Sequence, residues 1–242
     1  MRFPTPLAPA RLLRRYKRFL ADATLEKDGR TITAHCPNPG RMTGLAEPGT
    51  RIWVQHVAGG GRRLEWSWKL AELPGGHLAG IDSGFANHLV AEALEAGRLA
   101  PFRHCRTIRR EVRYGTSSRV DFLLTDEAGR RLWLEVKNAH LVRKPGIAEF
   151  PDTVTKRGAR HLAELAEKAR QGDGAAVLYV VQRTDAEAFR IAGDIDPAYA
   201  AAHEAAEAAG VRFHAVGTTI TPEEIETADP LPILPPALAE NP

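Results

Sequence analysis

Three side chains set the chemical problem. Asp121, Glu135 and Lys137 stand in the stretch RVDFLLTDEAGRRLWLEVKNAHL, residues 119–141, among valine, leucine, phenylalanine and tryptophan. The stretch reads as two strands joined by a turn at Asp126-Glu127-Ala128-Gly129. A turn centred on Ala128 sets Asp121 opposite Glu135, and directly opposed residues share a sheet face with Cβ atoms about 5 Å apart. An earlier turn around Gly115-Thr116-Ser117 likewise sets Glu111 opposite Asp121. Carboxylates so close repel. A hard divalent cation, Mg²⁺ or Mn²⁺, neutralises them through oxygen ligands and keeps several waters. Lys137 follows Glu135 on the same face, placed to orient or activate a water beside a phosphate or to stabilise developing charge. That is the chemistry of metal-assisted phosphodiester hydrolysis. An exposed sheet face laced with cross-strand ion pairs would use the same residues without chemistry, and spacing alone does not separate the two.

The surrounding pattern must position these groups. In this register one sheet face carries Arg109, Glu111, Arg113, Arg119, Asp121, Glu135 and Lys137. The other carries Ile108, Val112, Val120, Phe122, Leu124, Leu132, Leu134 and Val136. One face packs, and the other has a purpose or meets water. Before the sheet, GFANHLVAEALEAG has helical spacing through Phe85, Leu89, Ala93 and Leu94, with Gly97 as C-cap. After it, residues 153–171 predict a helix whose Leu162, Leu165, Ala166 and Ala169 share a face. Arg157, His161 and Glu164 share another. Arg157 and His161 reach a phosphate if that face looks onto the cleft, with Glu164 orienting them; a charged solvent face is the alternative. Asp152 is placed to cap this helix. AAVLYVVQR predicts a buried strand ending at Gln182, a further substrate contact. A helix over 197–209 and the strand VRFHAV follow, and the Pro-rich tail DPLPILPPALAENP predicts irregular structure.

The first eighty residues read as strands: ARLLRRYKRFLADATLE as one long strand, then TITAHC, TRIWVQHV, RLEWSWKLAEL and HLAGIDS. The two middle runs flank Gly59-Gly60-Gly61, a hairpin signal. Five strands without a long helix predict an OB-like Greek-key barrel, a common nucleic-acid platform. Arg14, Tyr16 and Arg18 alternate onto one face, Arg15 and Lys17 onto the other, a mixture suited to base stacking and backbone tracking. Asn38 and Arg41 in CPNPGRM are candidates for phosphate or domain contact. Trp66 and Trp68 share a face with Leu64 and Leu70 and are expected in the core. His35 and Cys36 are adjacent on a strand, so they face opposite ways and form no nucleophile pair.

Charge narrows the partners. The 242 residues carry a net charge of only +3, but residues 98–160 hold 15 basic against 7 acidic groups, and residues 161–242 hold 5 against 14. A basic front and an acidic rear suit a polyanion such as DNA. No apolar run is long enough to span a membrane, the N-terminal stretch lacks the apolar core of a signal peptide, and two cysteines exclude a disulfide scaffold. A reducing cytoplasm is the expected setting.

Longer motifs go further. Asp121 followed by Glu135-Val136-Lys137 resembles the D…(D/E)-x-K signature of the PD-(D/E)xK nuclease superfamily. RYKRFLAD, HCPNPGRM, ANHLVAEAL, EVRYG, SRVDFLL, LEVKNAHL and FPDTVTKRGARHLAEL together resemble the sugar fermentation stimulation protein (SfsA) family within it, over nearly the whole chain. Val120 stands where the superfamily has proline before the first acid. The resemblance implies an N-terminal OB-like domain over residues 1–83 and a nuclease-like αβββαβ domain over 84–242. It also implies DNA binding and a role in sugar metabolism, with Glu92 as a further metal ligand. The resulting expectation is a metal-dependent nuclease with catalytic Asp121, Glu135 and Lys137. Its metal site would take Asp121, Glu135, Glu111 and Glu92 with Mg²⁺ or Mn²⁺. Its DNA contacts would be Arg14, Tyr16, Lys17, Arg18, Asn38, Arg41, Arg113, Arg119, Arg157, His161 and Gln182, largely without sequence preference. A catalytically silent DNA-binding regulator is the alternative, and a homodimer stands as an open option.

Overall fold

Small and large apolar residues alternate along the first eighty positions, and they close into a barrel. Strands β1 (Leu7–Tyr16), β2 (Leu20–Leu25), β3 (Thr31–His35), β4 (Arg51–His56) and β5 (Trp66–Glu72) run in the order β3-β2-β1-β4-β5. Parallel bridges from Ala34 to Trp66 and from His35 to Ser67 close β3 onto β5. Ala10, Leu12, Ala23, Ile52, Val54 and Trp68 fill the interior. This is the OB-type barrel the sequence predicts, here in a computed structural model that describes residues 1–57, 63–114 and 118–238. The turns expected at Gly59-Gly60-Gly61 and Gly115-Thr116-Ser117, and the end of the tail, lie outside the described residues.

Two expectations for the barrel change. The run expected as one long strand is two, because the chain reverses at Lys17–Phe19 with Lys17 (φ 48) and Arg18 (φ 63) in left-handed conformations. No glycine or proline announces that turn, so the strand pattern runs through it. Trp68 is fully buried, but Trp66 is only half-buried at the barrel rim.

The short β6 (Leu78–Gly80) pairs with β5 and then stitches the barrel to the rest of the chain. Its Gly80 N–H donates to the Gln182 carbonyl (2.9 Å), and Thr184 N–H donates to the Leu78 carbonyl (3.0 Å). Leu7 and Leu70 of the barrel also pack in one apolar cluster with Phe85, Leu89, Phe122 and Leu134. Burying each of these large side chains contributes about 1.5–3 kcal/mol, so the junction is part of the core.

The second unit begins with α1 (Phe85–Glu95), then β7 (Cys105–Tyr114), β8 (Ser118–Asp126), β9 (Arg131–Ala139), β10 (Leu141–Lys144), β11 (Gly146–Phe150), α2 (Lys156–Arg170) and β12 (Gly174–Val181). β13 (Ala186–Ala192), α3 (Pro197–Ala208), β14 (Arg212–Ile220), β15 (Ile225–Pro230) and β16 (Ile233–Ala237) complete it. The main sheet has the order β15-β14-β12-β9-β8-β7, and a second sheet has the order β10-β11-β13-β16. The elements α1, β7, β8, β9, α2 and β12 supply the expected helix–three-strand–helix–strand core, with the unexpected strands β10 and β11 inserted between β9 and α2. Both faces of that sheet are packed, which corrects the one-sided expectation. Phe122, Leu134, Leu178 and Val180 meet α1, whereas Leu123, Trp133, Val177 and Tyr179 meet α2 and α3. The tail is not irregular either. β16 keeps Pro235 and Pro236 because it is an edge strand, where a missing N–H breaks no ladder.

Candidate active site

The hairpin register follows the turns. β8 and β9 pair Leu124 with Leu132 and Phe122 with Leu134, and the ladder stops there. The next pair in register is Asp121 and Glu135. Instead of a backbone bond, the Val136 N–H donates to Asp121 Oδ2 at 2.7 Å. On the other side β7 pairs Arg110 with Phe122 and Val112 with Val120, leaving Glu111 opposite Asp121 at φ 52. A left-handed non-glycine residue costs on the order of 1–3 kcal/mol and re-aims the strand. Val112, Tyr114 and Val120 accordingly pack with Leu123 and Trp133, while Ile108, Phe122 and Leu124 join the opposite core. Face alternation therefore reverses at Glu111 and Asp121, and the two acids come within reach of both helix layers.

Each acid is held from a different layer. Asn87 of α1 donates to Asp121 Oδ1 at 2.7 Å. Burial and the charge of Glu135 push Asp121 up to about 6, against the Val136 N–H and Lys137. Glu135 is 3% exposed. Lys137 Nζ donates to its Oε1 at 2.6 Å, and His161 Nδ1 of α2 bonds the same oxygen. Burial would raise the Glu135 pKa, but the His161 and Lys137 contacts prevail and hold it below its ordinary value. Its second oxygen, Oε2, is buried with no partner among the described residues. Tyr114 Oη, Ser118 Oγ and Glu164 Oε2 are buried and unpartnered too, with Tyr114 stacked on Trp133 at 5.6 Å. A buried acceptor without a donor costs about 1–3 kcal/mol, which makes this carboxylate oxygen the candidate atom to hold a cation.

These groups open into a cavity of about 570 Å³ lined by Asn87, Glu111, Ser118, Arg119, Asp121, Glu135, Arg157, Arg160 and His161. Arg109, Arg110 and Arg113 line the edge strand β7 beside it. Among the described residues none of these six arginines pairs with a carboxylate, whereas most arginines elsewhere do. Unpaired guanidiniums around a recessed acid pair suit a phosphate backbone.

Other expected residues lie elsewhere. Glu92 is turned away and bonds Arg98 (2.8 Å) and the N-terminal ammonium (3.4 Å). His161 is buried and positions Glu135 instead of meeting a phosphate, with Arg157 Nε donating to its Nε2 at 3.3 Å. Thr155, not Asp152, caps α2, accepting from the Gly158 N–H at 3.0 Å. Asp152 instead accepts from the Arg41 N–H (2.9 Å). Asn38 and Gln182 are buried at the domain junction: Asn38 Nδ2 donates to the Ile81 carbonyl (2.9 Å), and Gln182 Nε2 donates to Asn138 Oδ1 (2.9 Å). Tyr16 donates to Asp22 (3.2 Å) and lies under the Arg14 guanidinium, which also binds Asp22. Lys17 and Arg18 are exposed at the β1–β2 turn. Sequence reasoning missed Asn87, Tyr114, Ser118 and Arg160. Asn87 carried a signal, a polar residue in the first turn of an otherwise apolar helix face.

Among the described residues no group of three His, Cys, Asp or Glu side chains is arranged to hold a metal by itself. A cation here would rest on Asp121 and Glu135 and fill its shell with water, as Mg²⁺ and Mn²⁺ do.

Comparison with known proteins places this geometry. Residues 84–224 match the family model described as "Sugar fermentation stimulation protein RE domain", and residues 13–81 match the "SfsA N-terminal OB domain". A sugar fermentation stimulation protein homolog of Ruegeria sp. (strain TM1040) is 53% identical, covering 96% of this chain and 100% of the relative. The chain belongs to the sugar fermentation stimulation protein family. A further SfsA homolog, from Jannaschia sp. (strain CCS1), is 56% identical over 97% of this chain and 98% of its own. The solved SfsA of Pyrococcus furiosus, described in complex with Ca²⁺, superposes with a TM-score of 0.86 at 29% identity, covering 97% of this chain and 98% of that one. The two SfsA models divide the chain between barrel and sheet. No helix among the described residues is long and apolar enough to cross a membrane.

Proposed function

We propose that this SfsA protein binds DNA, largely without sequence preference, and hydrolyses its phosphodiester bonds at Asp121, Glu135 and Lys137 with Mg²⁺ or Mn²⁺. The carrying observation is the orphaned, buried Glu135 Oε2 beside a protonation-prone Asp121, at the floor of an arginine-rimmed cavity. The donor set fits a hard cation, since both groups are carboxylates and the site offers no thiolate. The Ca²⁺ of the Pyrococcus furiosus relative supports an ion of that class. When bound, such an ion polarises a phosphoryl oxygen and lowers the pKa of a coordinated water.

The chain does the rest. His161 and Lys137 converge on Glu135 Oε1, which fixes the carboxylate and leaves Oε2 to the ligand. Asn87 and the Val136 N–H fix Asp121 differently, one donor on each carboxylate oxygen. Arg119, Arg157 and Arg160 bind the phosphates that flank the scissile one. Lys137 stabilises charge that develops on the phosphoryl oxygens or holds the attacking water. Pure protein incubated with single- and double-stranded DNA tests the reading. Cleavage with Mg²⁺ or Mn²⁺ that stops with chelator, and is lost in Glu135→Gln, is the expected result. DNA binding without cleavage under either metal overturns the nuclease and leaves a DNA-binding regulator.

A further inference from the structure

The main sheet has a second recess, at the end where its parallel strands begin. Strands β9, β12 and β14 run parallel and start side by side at Arg131, Gly174 and Arg212. A cavity of about 790 Å³ opens there, between the loops that lead into these strands and the 3₁₀ turn Ala100–Phe102. Its floor is apolar, since Phe102, Cys105, Leu132 and Ala176 belong to the core cluster packed under α1. Further along the same strands α1 covers Leu134 and Leu178. At the strand starts Gly174 and Ala176 offer no bulk to fill the space that the helix leaves open.

The walls are polar and unevenly paired. Asp126 Oδ1 accepts from the Ala128 and Arg130 N–H groups, both at 2.9 Å, and its Oδ2 accepts from Arg130 Nε at 2.7 Å. Asp173 accepts from Arg131 Nε at 3.0 Å and from Trp133 Nε1 at 2.8 Å, one on each oxygen. Both carboxylates are thus engaged by protein donors, and three guanidiniums face two acids. Arg212 is exposed with no carboxylate partner among the described residues, and His104 and His214 line the same cavity. Burial and then the charge of Arg212 hold the His214 pKa below its ordinary value, so that guanidinium acts on the cavity wall.

A free cation above an apolar floor selects its ligand. A metal ion finds both acids engaged, and burial pushes the Cys105 thiol away from thiolate. An uncharged apolar molecule would strip water from Arg212 and give it no partner. We infer that this recess binds a small amphipathic organic anion, with its carboxylate or phosphate head on Arg212 and its apolar body over Leu132 and Ala176. The cavity falls within the roughly 300–1,000 Å³ usual for small-molecule sites. The inference goes beyond the DNA reading and uses none of the acid-site residues.

Cys105 on the cavity floor supplies the test, because the other cysteine, Cys36, is fully buried. The rate at which iodoacetamide alkylates Cys105 in the full chain, read by mass spectrometry, is measured against phenyl phosphate, benzoate, inorganic phosphate and benzyl alcohol. Phenyl phosphate, benzoate or both are expected to protect Cys105. Inorganic phosphate and benzyl alcohol, a head without a body and a body without a head, are expected to need about tenfold more or to fail. Arg212→Gln is expected to raise the half-protecting concentration roughly 10- to 150-fold, as loss of a charge-assisted hydrogen bond does, with melting temperature unchanged. Protection by one anion alone assigns the head to phosphate or carboxylate, and either outcome supports the inference. No protection by either anion overturns it, as does equal protection by benzyl alcohol or inorganic phosphate, or protection that survives Arg212→Gln undiminished. Protection by a DNA duplex and by neither small anion would assign the recess to the nucleic-acid surface and overturn it as well.

Discussion

Asp121 and Glu135 hold opposite kinds of strain. Asp121 is pushed toward its neutral form by burial and by Glu135, whereas Glu135 is held ionised with one oxygen unpartnered. Neutral isosteres relieve the repulsion without changing shape. Asp121→Asn is therefore expected to fold with unchanged or slightly higher thermal stability, whereas Glu135→Gln gives up the charge that Lys137 and His161 stabilise and is expected to lose some; both are expected to lose cleavage and metal affinity. A drop of several degrees in melting temperature for Asp121→Asn would mean that this acid is a structural partner and not a strained one. Lys137→Ala is expected to keep the metal and lower turnover, by roughly 100-fold or more if it acts on the charge that develops. Calorimetric metal titration beside a cleavage assay separates the two effects. At this scale the sequence was readable where turns set the register, since the Asp126–Gly129 turn alone aligns Asp121 with Glu135. It was not readable for Glu92, because a helix position gives no hint that Arg98 and the chain terminus will claim the side chain. His161 was found with the wrong role, because its burial depends on how α2 sits against the sheet.

Elements with strong periodicity appeared as expected: α1, α2, α3 and the β8–β9 hairpin. The second sheet did not, because β10 and β11 form a short hairpin and β11, β13 and β16 then pair across long sequence gaps. Much of what specifies that sheet is electrostatic. Glu149 on β11 is fully buried and receives Arg143 at 2.6 Å and Arg190 at 2.7 Å, and Arg143 also binds Asp194. Glu149→Leu would leave two guanidiniums facing an apolar group, so a loss of about 3–5 kcal/mol is expected in urea unfolding. A loss under 1 kcal/mol would show that the network adds little beyond the packing around it. The same logic explains the unexpected split of β1 from β2. Arg15 donates to the Asn38 and Gly40 carbonyls, at 2.8 and 2.9 Å, pinning the loop beside that turn. Such a partnership lies outside any local pattern.

Across the whole molecule, two charge effects are measurable. On the proposed reading, the unpaired arginines on β7 and around the acid pocket would make DNA affinity electrostatic. Log affinity for duplex is expected to fall linearly with log salt, and Arg109, Arg110 and Arg113 replaced by alanine should flatten the slope by up to about 3. An unchanged slope would take β7 out of the interface. Acid sensitivity has a separate origin. His203 is buried against Phe213, with centroids 3.7 Å apart, and burial pushes its pKa down to about 4. Its folded pKa lies below the unfolded value, so the unfolded chain takes up a proton first as pH falls. The contribution of this group should be lost between about pH 6.5 and 4 and change no further below, amounting to at most about 3 kcal/mol. His203→Leu is expected to shrink that loss in chemical unfolding, and an identical pH profile would exclude it. The overall charge division was legible from composition, and CPNPGRM offered Asn38 for domain contact, whereas the pairing of Gln182 with β6 was not legible, since it joins residues a hundred positions apart. Above all these effects stands the claim that the acid pair takes a divalent cation. A crystal soaked in Mn²⁺ and measured at the manganese edge tests it most directly. An anomalous peak in contact with Glu135 Oε2 and Asp121, absent from Glu135→Gln, is the predicted result, and saturating Mn²⁺ with no peak between the two carboxylates would contradict it.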